Sequence, residues 1–141
     1  MSRVTWEAVE GLNVSLASQI NEAELAPNLI VAVARGGFVP ARLLASALEI
    51  RRLTSIGISY TGADRREREL YATPTPIRST DRILLVEDAL ESGRSLVDAR
   101  DLLNKHGASV WTVSYYYSAA SLVVPDFSLG AVDQVPQFPW E

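Results

Sequence analysis

Apolar residues follow two different spacings along this chain. Near the start they recur three or four positions apart, which predicts a helix over residues 5–21 with Thr5 as its N-cap. Residues 29–33 instead form a short apolar run, and residues 82–86 form another after Arg82; both patterns are typical of strands buried on both faces. The chain is therefore expected to contain both helices and buried strands.

Further segments continue this alternation. Residues 40–48 and 96–106 have helical spacing. Residues 52–59 and 109–117 are rich in apolar and β-branched residues and are expected to be strands, and residues 123–141 hold one more possible strand. Strands that alternate with helices predict an α/β fold, with a Rossmann-like, mostly parallel sheet flanked by helices.

Three connecting segments carry information about function. Residues 60–80 are polar and too long for an ordinary connection, which indicates a mobile or functional loop with room for a short hairpin. Residues 34–37 and 87–95 are Gly-containing loops that each follow a predicted strand. Ligands of parallel sheets bind at the carboxyl ends of the strands, so both loops are expected at a binding site. We expect one domain over residues 1–141.

The composition excludes several classes of function. The chain has no cysteine, which rules out disulfide scaffolds, cysteine nucleophiles and thiolate metal sites. Its net charge of −4 argues against nucleic acids and anionic membranes as partners, because both need a basic surface. Residues 1–10 lack the apolar core of a signal peptide. We therefore expect a cytoplasmic protein with no nucleic-acid partner and no membrane partner.

The loop at 87–95 combines acids with an anion-binding turn. Glu87 and Asp88 follow the strand directly, and Glu91 precedes a Ser-Gly-Arg-Ser turn and a helix. Backbone N–H groups at a helix start bind anions, and Gly93 lets the backbone approach a phosphate closely. The acids would repel a bare phosphate, but they can bind the hydroxyls of an attached sugar or a magnesium ion.

The loop at 34–37 has the sequence Ala34-Arg35-Gly36-Gly37. An Arg-Gly-Gly turn alone is weak evidence for a ligand, because glycine-rich turns are common. Its place at a strand end, ahead of the acidic loop, gives it more weight, since ligands of parallel sheets bind at that edge.

Together the two loops resemble the pyrophosphate loop and the signature that binds phosphoribosyl pyrophosphate (PRPP) in type I phosphoribosyltransferases. That signature is a hydrophobic strand, two acids, two variable residues, an acid and a Thr/Ser-Gly-x-Thr/Ser turn, as at 83–95 here. Residues 4–6, 123–127 and 138–141 are similar to the xanthine-guanine branch of the family. The resemblance therefore spans nearly the whole chain.

The resemblance implies a type I phosphoribosyltransferase fold with a flexible hood loop, which begins at Ser59 and Tyr60, and a small C-terminal base-binding hood. It implies transfer of 5-phosphoribose from PRPP to a nitrogenous base, with a purine favoured, and release of pyrophosphate in nucleotide salvage. It also implies a Mg²⁺ cofactor, a homodimer or homotetramer, and a cis peptide bond between Ala34 and Arg35.

Residue roles follow from the same resemblance. Arg35 and Glu91 are the catalytic candidates, with Glu91 positioning the base or accepting its proton. Glu87 and Asp88 bind the ribose hydroxyls, directly or through magnesium. PRPP binding is assigned to both loops, namely to Arg35, Gly36, Glu87, Asp88, Ala89, Leu90, Glu91, Ser92, Gly93, Arg94 and Ser95.

The base pocket departs from the family pattern. The xanthine-guanine branch has a lysine near the position of Tyr117, whereas the single lysine here is Lys105, in a predicted helix. Val135 stands where that branch has an aromatic residue that stacks on the base, and Glu91 replaces an aspartate. We expect Tyr117 and Val135 at the base. Because a missing buried donor changes specificity, another purine and a different heterocycle both stay open as acceptors.

Two other functions stay open at this point. A non-catalytic regulator that senses PRPP would fit the altered base pocket, and an unrelated phosphate-binding α/β domain would fit the phosphate turn alone. Turnover of PRPP separates the enzyme from the regulator, and failure to bind PRPP favours the unrelated domain. Two residues also keep two interpretations each: Tyr60 begins a hood or packs at a strand end, and Arg94 covers the phosphate or faces solvent.

Overall fold

The computed structural model describes residues 2–141, which contain three helices and eight strands. The helices are α1 (Trp6–Glu22), α2 (Phe38–Ala47) and α3 (Arg94–Asn104). The strands are β1 (Leu29–Val33), β2 (Leu53–Thr61), β3 (Glu67–Ala72), β4 (Arg82–Val86), β5 (Ala89–Leu90), β6 (Ser109–Val113), β7 (Tyr116–Ser118) and β8 (Ala131–Val132). Within this range, no helix is long and apolar enough to cross a membrane.

The main sheet has five strands in the order β3-β2-β1-β4-β6. Strand β1 pairs in parallel with β2 and β4, and β4 pairs in parallel with β6. Strand β3 is antiparallel and forms a hairpin with β2. The predicted mostly parallel α/β sheet is therefore confirmed, and the carboxyl ends of β1 and β4 are neighbours.

The central strands are buried because helices cover both faces of the sheet. All five residues of β1 are buried. Successive side chains of a strand point to opposite faces. Ile30 accordingly packs in the core cluster that contains residues of α1 and α2, whereas Val31 packs in the cluster that contains residues of α3. Burial on both sides explains why the sequence of this strand is apolar without alternation.

The C-terminal tail is held by a small second sheet and by the N-terminal segment. The second sheet has the order β5-β7-β8. Arg3 and Gln137 form an isolated parallel bridge. Across it, the Val4 N–H donates to the Gln137 carbonyl at 2.8 Å, and the Gln137 N–H donates to the Ser2 carbonyl at 2.9 Å. Both ends of the described chain therefore meet beside the main sheet.

The predicted strands at 29–33 and 82–86 are confirmed with the same bounds, and Thr5 caps α1 by accepting the Ala8 N–H at 3.1 Å. The segment 60–80 does not form a hairpin of its own; instead its strand β3 pairs with the preceding strand β2. This pairing extends β2 to Thr61, beyond the strand end expected at residue 59.

Other boundaries are corrected by the structure. The strand predicted at 109–117 is two strands, because the Tyr115 N–H donates at 2.9 Å to the Asp88 carbonyl and the chain leaves the main sheet there. Helix α3 begins at Arg94 rather than at residue 96, because Gly93 makes the turn with φ 77°. Helix α2 begins two residues before Pro40, which lies in the first turn, where a missing N–H leaves no bond unmade.

Candidate active site

The two loops predicted to bind ligand lie side by side, since they follow the paired strands β1 and β4. The acidic loop lines a cleft of about 360 Å³. The lining consists of Glu87, Asp88, Ala89, Leu90, Glu91, Ser92, Gly93, Ser95, Val135, Pro136 and Glu141. The structure thus brings most of the predicted PRPP-binding residues, together with Val135, around one cavity.

Asp88 is the most constrained carboxylate of the cleft. It is 9% exposed. The Ala89 N–H donates to its Oδ1 at 2.7 Å, and the indole Nε1 of Trp140 donates to its Oδ2 at 2.9 Å. Its carboxylate also lies against Gly36, where a Cβ would be 2.7 Å from Oδ2. This carboxylate therefore connects the acidic loop with the Arg-Gly-Gly loop and with the tail.

Glu87 has an environment that favours its neutral form. Burial, with a smaller contribution from the charge of Asp88, raises the pKa of the Glu87 carboxyl to about 8. The Ser95 hydroxyl donates to Oε2 of Glu87 at 3.5 Å and opposes this shift weakly. Two adjacent acids facing one cleft are therefore not both charged at neutral pH until a cation or a hydrogen-bond donor arrives.

The turn at the start of α3 has the geometry of an anion cradle. Gly93 is the N-cap in the left-handed conformation and has no side chain to cap the helix. The Arg94 N–H donates to the Ser92 hydroxyl oxygen at 3.2 Å. The next N–H groups have no partners within the helix, so they are available to a ligand. The Leu122 N–H donates to the Ser92 carbonyl at 2.7 Å. A Cβ on Gly93 would lie 2.5 Å from the Ser121 hydroxyl, so only glycine fits beside the segment that contains Ser121 and Leu122.

The Arg-Gly-Gly loop ends in a second helix start without a side-chain cap. The Ala34–Arg35 peptide bond is cis, as expected from the family resemblance. Gly37 is the N-cap of α2 and has no side-chain capping bond. A Cβ on Gly37 would overlap the carbonyl oxygen of Val86, which lies on the neighbouring strand. Arg35 is exposed and free to reach a ligand.

The hairpin of β2 and β3 is fastened to the start of α3 by Arg94. The guanidinium of Arg94 lies 3.8 Å from the ring centroid of Tyr60. It also donates to the carbonyls of Arg65 at 2.5 Å and Arg66 at 3.4 Å. The Tyr60 hydroxyl donates to Oδ2 of Asp98 at 2.7 Å. Arg94 therefore does not simply face solvent, because its side chain holds the tip of the predicted hood loop.

Of the two residues predicted to contact the base, only one lines the cleft. Val135 lines the cleft beside Pro136, whereas Tyr117 is half-buried and packs against the core cluster that contains Leu90. Lys105 is the C-cap of α3, at the opposite end of the helix from the cradle. No lysine therefore reaches the base side of this cleft. This agrees with the sequence, which lacks the lysine that the xanthine-guanine branch has near the position of Tyr117.

The acids of the cleft fit a magnesium ion that arrives with its substrate. Mg²⁺ prefers oxygen ligands and is commonly held by one or two carboxylates plus substrate phosphates and water. Glu87 and Asp88 offer such carboxylates. Within residues 2–141 no cluster of three or more metal-ligating side chains exists.

Three relationships of this site do not follow from the sequence pattern. They are the contact of Gly36 with Asp88, the bond from Trp140 to Asp88, and the hold of Arg94 on the hood loop. The Pro-Trp pair near the C-terminus is an available signal for Trp140, but the sequence does not indicate its partner.

Comparisons with known proteins agree with this geometry. Residues 5–141 match the family described as phosphoribosyl transferase domain. The chain is similar to a purine phosphoribosyltransferase from Pyrococcus horikoshii, with a TM-score of 0.89 and 26% identity over 99% of this chain and 92% of that one. It shares its fold with a xanthine-guanine-hypoxanthine phosphoribosyltransferase from Helicobacter pylori, with a TM-score of 0.88 and 21% identity over 99% and 93% of the two chains.

Proposed function

As a member of the phosphoribosyl transferase domain family, this chain is a PRPP-dependent phosphoribosyltransferase, and we propose that its acceptor is a purine base. The reaction yields a purine nucleotide and pyrophosphate, a step of purine salvage. The observation that supports this proposal most strongly is the contact between Gly36 and Asp88. It places a loop suited to pyrophosphate directly beside a carboxylate suited to ribose, and PRPP carries both groups.

The two uncapped helix starts have separate roles in this proposal. The backbone of residues 91–95, with the hydroxyls of Ser92 and Ser95, holds the 5-phosphate of PRPP. Arg35 and Gly36 hold the pyrophosphate at the start of α2. Both groups are anionic, and the N-terminal ends of helices carry partial positive charge that favours them.

Asp88 and Glu87 bind the hydroxyls of the ribose between these two anchors. The bonds from Ala89 and Trp140 fix the Asp88 carboxylate before substrate arrives. A carboxylate held in place needs no reorganisation on binding, which favours a productive substrate geometry. Mg²⁺, when bound with PRPP at these acids, supplies positive charge beside the departing pyrophosphate.

The chemical step breaks the C1–O bond of PRPP, and its electron pair leaves with the pyrophosphate. A ring nitrogen of the base donates an electron pair to C1 and loses its proton. In this proposal Glu91, which is exposed and lines the cleft, accepts that proton or orients the base. Fixed N–H donors and Arg35 stabilise the charge that develops on the leaving oxygens.

A purine acceptor is supported by the similarity to the Pyrococcus horikoshii purine enzyme. Val135 and Pro136 offer an apolar wall to a flat base, without a stacking aromatic ring. The missing lysine removes one donor to a 6-oxo group, so discrimination among purines is expected to be weaker than in the xanthine-guanine branch.

The test is release of pyrophosphate from PRPP and Mg²⁺ with each of a panel of bases: guanine, xanthine, hypoxanthine, adenine, uracil and orotate. Release that depends on a purine supports the proposal, and release only with uracil or orotate overturns the acceptor. PRPP binding by calorimetry without release with any base would instead favour a PRPP-sensing regulator. We further expect a homodimer or homotetramer, which sedimentation of the purified protein tests.

A further inference from the structure

Trp140 is far from Asp88 in the sequence but donates a hydrogen bond to it. The indole Nε1 lies 2.9 Å from Oδ2, between residues 52 positions apart. The indole nitrogen can only donate, and an ionised carboxylate can only accept, so the direction of this bond is fixed. Hydrogen bonds to charged groups are shorter and stronger than neutral ones.

The Trp140 ring is itself held in place by other rings. It stacks on Phe138 with centroids 4.8 Å apart and planes 4° apart. Trp6 of α1 lies 5.8 Å away and Tyr115 lies 6.3 Å away, both in tilted contact. The bridge between Arg3 and Gln137 fastens the backbone of the same tail. The donor therefore reaches Asp88 from a rigid support.

The other constraints on Asp88 leave its orientation dependent on this donor. The Ala89 N–H binds Oδ1, and Gly36 blocks the side that faces the Arg-Gly-Gly loop. Each carboxylate oxygen accepts more than one hydrogen bond, so both oxygens keep a free lone pair for a ligand. Trp140 then determines where the lone pairs of Oδ2 point.

We propose that Trp140 is a positioning residue that sets the Asp88 carboxylate for the ribose of PRPP, an inference that rests on the proposed function. The same tail supplies Val135 and Pro136 to the wall of the cleft. One short segment therefore fixes both the base wall and the ribose-binding acid, and its docking joins the two halves of the site.

Calorimetry of PRPP binding with saturating Mg²⁺ tests this role. Trp140→Phe keeps an aromatic ring for the stack and removes the donor. We expect about tenfold weaker binding, the lower end for loss of a hydrogen bond to a charged group. The matched control is Trp6→Phe, which changes the same ring cluster without a bond to Asp88, and it should change the affinity less than about twofold.

A double-mutant cycle with Asp88→Ala separates positioning from packing. If Trp140 acts through Asp88, Trp140→Phe changes the affinity less than about twofold in the Asp88→Ala background. Equal losses in both backgrounds, or equal affinities of wild type and Trp140→Phe, overturn the inference. If the wild type does not bind PRPP at all, the proposed function fails instead, so the two failures are distinguishable.

A measurement on the free protein covers the case in which Trp140→Phe does not fold. The indole N–H proton of Trp140 in the wild type should exchange slowly and resonate downfield, because it is hydrogen-bonded. Asp88→Ala should speed its exchange at least tenfold, while the indole proton of Trp6 stays unchanged. An indole proton of Trp140 that is insensitive to Asp88→Ala contradicts the bond and the inference with it.

Discussion

Gly36 and Asp88 lie so close that a Cβ added to Gly36 would be 2.7 Å from Oδ2 of the carboxylate. Real Cβ atoms do not approach oxygen to that distance, so the side chain of any other residue would displace the acid. The glycine is therefore required by its neighbour on the adjacent strand end, and its φ needs no left-handed conformation.

Replacing Gly36 with alanine should displace the Asp88 carboxylate. We expect at least tenfold weaker PRPP binding and a loss of about 1–3 kcal/mol of unfolding free energy, typical of overpacking. Calorimetry and urea unfolding measure the two effects. Gly11→Ala is the matched control: nothing lies within 4 Å of a Cβ there. In helix α1 that change should stabilise the protein by up to about 1 kcal/mol and leave PRPP binding unchanged.

Glu87 should make the protein less stable as the pH rises. The pKa of its carboxyl is about 8 in the folded protein, compared with 4.5 for a glutamate in the unfolded chain. Between these values the unfolded chain releases a proton that the folded protein keeps, so the free energy of unfolding falls by on the order of 5 kcal/mol from this group. Glu87→Gln should lack that fall.

Urea unfolding of wild type and Glu87→Gln from pH 4.5 to pH 9 measures this contribution. The difference in unfolding free energy between the two proteins should shift in favour of the variant as the pH rises, and level off above pH 8. A difference that stays constant over this range would mean that Glu87 is ionised in the folded protein.

Arg94 should restrain the tip of the hood loop. Arg94→Met removes two hydrogen bonds and a cation–π contact with Tyr60, which together contribute about 1–2 kcal/mol. Amide exchange of residues 61–66 should become about tenfold faster. Arg100→Met, on the same helix and 3.9 Å from Asp101, is the control and should leave this loop unchanged. Unchanged exchange in Arg94→Met would show that the loop is held by other contacts.

Asp81 should stabilise the fold without affecting the site. It is buried and accepts hydrogen bonds from Arg52 at 2.5 Å, from the Arg78 N–H at 2.8 Å and from Asn28 at 3.1 Å. These donors lower its pKa to about 2. Asp81→Asn should reduce the unfolding free energy by about 2 kcal/mol at pH 7, with PRPP affinity unchanged.

The stability difference between wild type and Asp81→Asn should depend on pH. The stabilisation from Asp81 is present above the unfolded pKa of 3.8 and is lost as the pH falls toward 2, so wild type and variant should converge there. Asp101→Asn, an exposed acid beside Arg100, should change stability by less than about 0.5 kcal/mol. A pH-independent difference for Asp81→Asn would contradict the ionic origin of the effect.

Much of the fold follows from the sequence because its signals are local. Strand β1 is apolar throughout, and β4 is apolar after Arg82, since both faces of these strands are buried, and the apolar runs indicate their positions directly. The division of the strand expected at 109–117 has no such signal. It depends on the carbonyl of Asp88, which lies on another loop and accepts the Tyr115 N–H.

The candidate site likewise contains residues that the sequence identifies and contacts that only the folded chain reveals. The acids and the Gly93 turn are contiguous, so the motif identifies them, and the family resemblance supplied the cis bond at Ala34–Arg35. The partners of Trp140 and Arg94 lie 52 and 29 residues away, and only the folded chain brings them together. Side-chain contacts across such separations depend on helix and loop packing, which spacing alone does not specify.

The most direct test of the central claim is incubation of the protein with isotope-labelled PRPP, Mg²⁺ and an equimolar mixture of purine and pyrimidine bases, followed by mass spectrometry of the products. We predict a labelled purine ribonucleoside 5′-monophosphate and an equal amount of pyrophosphate. Unreacted PRPP, labelled ribose 5-phosphate without nucleotide, or a pyrimidine nucleotide alone would contradict it.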